Sequence, residues 1–263
     1  MSTTIPETVL ANERMYFDRE AAALLDDNLI LPQTQIERYR QARLGPCNIT
    51  KDAMFALLRP LEGKEVLDYA CGHGANACLL AACGARVTAF DLSSKAIDKA
   101  RRRAELHGLA DRIQFDVRAA GETGYPPDRF DVVIGCAVLH HLHMALGEVS
   151  EEIFRVLRPG GTACFIEPVA NNALLRFLRP LVPVRRHATE NERQLRYQDL
   201  EPLRQRLGPL DLHHFFCLER LHRLLGKRVR VPLRRFDHYA QRVLPFLRPL
   251  YGEVLILARP DKR

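Results

Sequence analysis

From Lys64 onward the chain alternates short apolar runs with segments of helical periodicity, and this alternation restricts the fold more than any other feature. The runs at Glu65–Tyr69, Arg86–Phe90, Ile113–Val117, Asp131–Cys136, Thr162–Ile166, Asp211–Leu218 and Tyr251–Ala258 read as seven strands. Apolar strands separated by helices imply a parallel sheet covered on both faces, so the expected class is α/β: a doubly wound, mostly parallel seven-stranded sheet. Ser94–His107 is one of the intervening helices, with Ser93 to start it and Gly108 to stop it.

Helical spacing of Phe17, Ala21, Leu24 and Leu25 predicts one or two helices within residues 12–43, interrupted near Asp26 to Pro32. The stretch from Glu167 to Leu210 is longer than a simple crossover needs, which predicts added helices over the carboxyl edge of the sheet. The chain therefore divides into an amino-terminal helical arm or lid (1–60), a ligand-binding core (61–168), a helical insert that could roof an acceptor (169–210) and the last strands and helices (211–263). No repeat or low-complexity tract interrupts this plan.

Charge is placed unevenly. Residues 1–175 hold 19 Lys/Arg against 23 Asp/Glu, a balance of about −4, whereas residues 176–263 hold 20 against 9, about +11. A basic end region attracts an anionic acceptor, a membrane surface or nucleic acid, or simply solvates helix faces. The start of the sequence lacks the pattern of a secretory signal, and no apolar run is long enough to span a bilayer, so the expected location is cytoplasmic. Seven cysteines form no C-x-x-C pair, and His187, His213, His214, His222 and His238 do not pair at helical spacing beside an acid. A disulfide framework and a metal site are therefore not expected.

The chemistry concentrates in Glu65-Val66-Leu67-Asp68-Tyr69-Ala70-Cys71-Gly72-His73-Gly74-Ala75-Asn76, a strand that enters a glycine-containing turn and opens a helix. Glycines suit a tight turn that a ligand must approach closely. Asp91, 17 residues after Gly74, ends the second strand, where a carboxylate can accept both hydroxyls of an adenosine ribose. Gly72-x-Gly74-x-x-Ala77 with a distant acid also fits a dinucleotide fingerprint, and Asp68 separates the two readings. A carboxylate beside the turn repels a pyrophosphate and attracts the ammonium of a methionine moiety.

The segment Glu65–Pro168 resembles the core of class I S-adenosylmethionine-dependent methyltransferases. The resemblance rests on Asp68 to Gly74, Val87-Thr88-Ala89-Phe90-Asp91-Leu92-Ser93, Arg129-Phe130-Asp131-Val132-Val133, Val138-Leu139-His140-His141-Leu142 and Arg155-Val156-Leu157-Arg158-Pro159-Gly160-Gly161, in order and at family spacing. It implies S-adenosylmethionine as cofactor and S-adenosylhomocysteine as product. Asp68, Ala70, Gly72 and Gly74 would surround the methionine part, Asp91 would hold the ribose, Leu92 would pack on the adenine, and the Cys136 carbonyl would face the ligand amine. The family's usual Asp or Asn after the third strand is replaced by Ala119, so adenine would be read by backbone amides from Ala119, Ala120 and Gly121, or by Glu122. Related arms often close over the cofactor with an aromatic or basic residue, which singles out Tyr16 and Arg40.

A sulfonium methyl is already activated, so the protein chiefly aligns the acceptor, and a base is needed only where the acceptor must lose its proton early. His140 and His141, after the fourth strand, are the catalytic candidates; packing under the cofactor and capping the next helix are their structural alternatives. The flanking arm and late inserts resemble the quinone-biosynthesis and natural-product branch of the family, and Leu174 to Arg186, apolar and basic together, suits a pocket roof or a bilayer surface. The expected acceptor is a small or lipid-like molecule. The alternative is RNA or protein, bound through the basic end region, although Cys136-Ala137-Val138-Leu139 stands where amino-group nucleic-acid methylases carry Asn/Asp-Pro-Pro-aromatic.

Overall fold

The computed structural model describes residues 6–173 and 193–262. Seven strands form one sheet in the order β3-β2-β1-β4-β5-β7-β6. They are β1 (Glu65–Tyr69), β2 (Arg86–Asp91), β3 (Ile113–Val117), β4 (Phe130–Cys136), β5 (Leu157–Pro168), β6 (Leu210–Phe215) and β7 (Glu253–Ala258). Neighbours from β3 across to β5 pair in parallel, and β7 runs antiparallel to both β5 and β6. The sheet is thus the mostly parallel, doubly wound one that the apolar runs predict.

Both faces are covered, and the strand alternation shows how. In β1 and β4, Val66, Val132 and Ile134 enter one core with Met54, Phe55, Ala77 and Ile97, while Leu67, Tyr69 and Val133 enter the other with Phe130, Val149 and Ile153. Successive side chains point to opposite faces, so a strand buried on both sides is apolar at nearly every position. Helices α4 (Thr50–Leu58), α5 (Ala75–Ala82) and α6 (Ser94–Leu106) supply the first layer, and α7 (Leu146–Val156) and α8 (Glu201–Leu207) the second.

The arm is more divided than its periodicity suggests. It consists of α1 (Glu7–Ala22), a single turn α2 (Asp26–Leu29) and α3 (Gln33–Arg40), followed by α4, which the sequence reading did not resolve from the arm. Pro32 caps α3 and accounts for the break. The sixth strand stops at Phe215 rather than Leu218 because Phe216 takes a left-handed φ of 63°. Between β6 and β7 lie α9 (His222–Leu225) and α10 (Arg230–Val243). Of the insert expected over the carboxyl edge, α8 packs instead against α7 on the face of the sheet, and the apolar-basic run Leu174 to Arg186 lies outside the described residues.

The chain reverses direction across the sheet between β1 and β4, which are adjacent although β2 and β3 intervene in sequence. At such a switch point the loops after the two strands diverge and leave a crevice at the carboxyl edge.

Candidate active site

A cleft of about 630 Å³ occupies that crevice, floored by the turns after β1, β2, β3 and β4 and roofed by α1. The turn after β1 is built from left-handed residues, with φ of 56° at Ala70, 52° at Gly72 and 75° at Gly74. A Cβ on Gly72 would meet nothing within 4 Å, so this position opens onto the cleft, whereas a Cβ on Gly74 would lie 2.7 Å from that of Ala100. Gly74 therefore serves the close approach of α5 to α6 rather than a ligand.

Asp91 is held from behind. Its Oδ2 accepts from the Gly72 amide at 2.8 Å and its Oδ1 from the Ser93 amide at 2.9 Å, which fixes the carboxylate at the cleft wall. Burial raises its pKa, and the amides of Ser93, Gly72 and Leu92 oppose that rise. Leu92, Ala119, Ala120 and Cys136 also line the cleft, while Gly121 lies outside it beside Glu148. Glu122 is exposed and acts on Arg155 rather than reaching in. Burial pushes the Cys136 thiol up to about 12, so at neutral pH its sulfur is a packing atom and not a nucleophile.

Asp68 is 1% exposed behind the turn. Desolvation lifts its pKa to about 7, against the pull of Lys51 on α4 and of the Ala77 amide in the first turn of α5. Its Oδ2 has no hydrogen-bond partner among the described residues, and neither has Oδ1 of Asn76, which lines the cleft one turn away. Two buried acceptors without donors stand beside the glycine turn, and Asp68 engages an amide that a phosphate on the α5 terminus would require. The site thus fits a ligand that brings a cationic donor and disfavours a diphosphate.

His140 and His141 both line the cleft, with their rings 4.3 Å apart. Nδ1 of His140 lies 2.8 Å from Oε2 of Glu167, a carboxylate with no solvent exposure. The same carboxylate accepts the amides of Val138 and Leu139, each at 2.8 Å, and so fastens the turn that carries both histidines. Glu167 lies just past Ile166, the partner of Cys136 in the β4–β5 register, so strand pairing brings acid and histidine together. Nothing local in the sequence marks that meeting. His141 takes Glu13 of α1 at 3.2 Å and packs edge-on against Phe17.

The roof is one face of α1: Val9, Glu13, Tyr16 and Glu20 recur at helical spacing along the cleft. It is anchored to α6. Ser93 caps α6 by accepting from the Ala96 amide and donates its hydroxyl to Asp18, and Arg103, buried within α6, donates to the carbonyls of Leu29, Asn28 and His73. Tyr16 is thus brought to the cleft as its arm position suggests. Arg40 is not: its guanidinium donates to the Ala82 carbonyl at 3.0 Å, at the far end of α5 and the amino edge of the sheet, because α3 packs across the tail of α5. Lys51, Glu13, Phe17 and Glu167 are the cleft or cleft-supporting residues that sequence reasoning missed.

Residues 66–161 match the family model described as a methyltransferase domain. A ubiquinone biosynthesis O-methyltransferase of Methylocella silvestris is 40% identical over 103 residues, which is 39% of this chain and 39% of that protein. A fatty-acid O-methyltransferase of Mycolicibacterium smegmatis is 39% identical over 103 residues, covering 38% of this chain and 36% of that protein. The matched segment thus spans well under half of these relatives. A phosphoethanolamine N-methyltransferase 2 of Haemonchus contortus, solved with S-adenosylhomocysteine, shares the fold with a TM-score of 0.60 at 17% identity, over 95% of this chain and 60% of that one. The strand order, the glycine turn with its two acids and this match together make residues 66–161 similar to a methyltransferase domain, in agreement with the class I resemblance of the sequence.

Proposed function

We propose that the protein transfers the methyl group of S-adenosylmethionine to a hydroxyl of a small, apolar or lipid-like acceptor, with His140 as general base. The observation that carries this reading is the His140–Glu167 pair at the cleft wall. Bound in the cleft, S-adenosylmethionine supplies an electrophilic methyl on a sulfonium, which needs a deprotonating nucleophile in line with it.

The chain's own residues divide the work. Asp68 and Asn76 offer acceptors to the ammonium, Asp91 offers its remaining lone pairs to the ribose hydroxyls, and the backbone of Ala119 and Ala120 borders the adenine. Glu167 accepts a hydrogen bond from the Nδ1–H of His140, which leaves Nε2 as the basic nitrogen, and Nε2 receives the acceptor's proton as the oxygen attacks. His141, tied to Glu13 and Phe17, closes the arm onto the acceptor side and helps exclude water. The apolar cleft wall of Val9, Leu10, Phe17, Val138 and Leu142 favours an apolar acceptor body, and the relatives named for quinone and fatty-acid O-methylation are consistent with one. The seven cysteines, all free thiols, suit a reducing compartment, so we place the enzyme in the cytoplasm.

The test uses isotopically labelled S-adenosylmethionine with a quinone- and lipid-containing extract. A labelled methyl ether is expected, and His140→Gln should lower turnover about a hundredfold with cofactor affinity unchanged. Full turnover by the variant would remove the histidine from the mechanism, and label confined to nitrogen or carbon would remove the hydroxyl acceptor.

A further inference from the structure

The segment between β6 and β7 carries an apolar face that the fold does not use. Along α10, Pro232, Phe236, Tyr239 and Val243 fall on one side of the helix, and Phe236, Tyr239 and Val243 are 49%, 52% and 74% exposed. The opposite side is anchored: Asp237 accepts the amides of Cys217, Leu218 and Glu219, and Arg234 binds Glu219 and the Cys47 carbonyl. The helix is therefore held rigidly with its apolar stripe outward. Phe246, just beyond the helix, is also 72% exposed.

Charge identifies what this face meets. Residues 220–250 hold nine Lys/Arg and a single acid, Asp237, which is buried. Lys227, Arg228, Arg235, Arg242 and Arg248 are all exposed around the apolar stripe. A second copy of the same face would set like charge against like charge. A polyanion such as RNA would satisfy the cations and stack bases on the two rings, yet leave Val243 and the aliphatic part of the face without a partner. An anionic bilayer satisfies both, because apolar side chains enter the acyl boundary while arginines reach the headgroups.

We infer that this face docks the protein on an anionic phospholipid bilayer. The segment leaves β6 at Phe215 and re-enters the sheet at Glu253, the residue paired with Pro168 at the cleft, so the docking face hangs from the edge where the cleft opens. Among the described residues no helix is long and apolar enough to cross a membrane, so the contact is peripheral. A lipid-like acceptor would then reach the cleft from the bilayer surface.

Sedimentation of the full chain with vesicles tests this directly, and it is independent of methyl transfer. At low salt the protein is expected to bind equimolar phosphatidylcholine–phosphatidylglycerol vesicles and not phosphatidylcholine alone. Arg235→Gln with Arg242→Gln, and separately Phe236→Ser with Val243→Ser, should each lower partitioning on the order of tenfold. Unchanged thermal unfolding of both variants shows that the exposed substitutions leave the fold intact. Failure to bind the anionic vesicles overturns the inference, as does wild-type partitioning by the apolar pair, which would mark a surface for polyanions. A concentration-dependent dimer abolished by that same pair would assign the face to a second copy and likewise overturn it.

Discussion

In the proposed function, Asp68 is the residue whose chemistry separates one ligand class from another. Its carboxyl, lifted to about 7 by burial, holds a proton in the folded chain over the range where an unfolded Asp, near 3.8, has already released it. The unliganded protein therefore loses stability as pH climbs from about 4 toward 7, and the loss levels off above that. A bound ammonium favours the ionised form, so S-adenosylmethionine should bind about tenfold more tightly at pH 7.5 than at pH 5.5, with proton release on binding. Calorimetry in buffers of different ionisation enthalpy measures both quantities, and Asp68→Asn should flatten the pH dependence. A wild-type affinity that does not change over this range would remove Asp68 from contact with the ammonium. Asp68, Asp91 and both histidines were picked out in the sequence because each stands at, beside or just beyond the carboxyl end of a strand, and Tyr16 because related arms carry an aromatic residue over the ligand; the fold sets them in or behind the cleft. Glu167 and Lys51 were not, since only the pairing of β5 beside β4 and the folding of α4 toward the turn bring them near. Arg40 was misplaced for the complementary reason: its position in the arm says nothing of which end of α5 it will meet.

At the scale of elements, the arm and α6 behave as one latch. Arg103 is the pin, since its guanidinium reaches the carbonyls of Asn28 and Leu29 on the arm and of His73 in the glycine turn. Arg103→Met keeps most of the aliphatic bulk and leaves those carbonyls unsatisfied, so the variant should fold yet loosen its roof. We expect faster hydrogen exchange across α1 and α2 and about tenfold weaker S-adenosylmethionine binding, with exchange in β1, β4 and β5 unchanged. Exchange that quickens equally in the central strands would show instead that the arginine supports the whole core. The strands themselves were readable from sequence because burial on both faces leaves near-continuous apolar runs, whereas their ends were not: β5 begins at Leu157 rather than Thr162, β7 at Glu253 rather than Tyr251, and β6 stops before Phe216, whose left-handed backbone ends it. The arm's division into short helices was less readable, since Pro32 marks one break while α4 continues the same polar-apolar mixture.

For the whole molecule, arm, turn and sheet edge all border the cleft, so occupancy of the cleft should stabilise all three together. Binding to the folded chain alone adds about 2.7 kcal/mol at a ligand concentration a hundredfold above Kd, which for a chain of this size raises Tm by about 5 °C. S-adenosylmethionine and S-adenosylhomocysteine should both produce that shift, because the ammonium and ribose proposed to engage Asp68 and Asp91 are common to them. Oxidised nicotinamide dinucleotide shares the adenosine but brings a diphosphate to a turn where Asp68 and Asn76 present unpaired oxygens and the α5 terminus is already engaged. It should leave Tm unchanged. The comparison isolates the feature that divides two ligand families using the same glycine turn and the same ribose-binding acid, since the adenosine half is held constant and only the group beside the turn differs. A shift with the dinucleotide as large as that with S-adenosylhomocysteine would mean that the adenosine alone determines binding and that the acid behind the turn selects nothing.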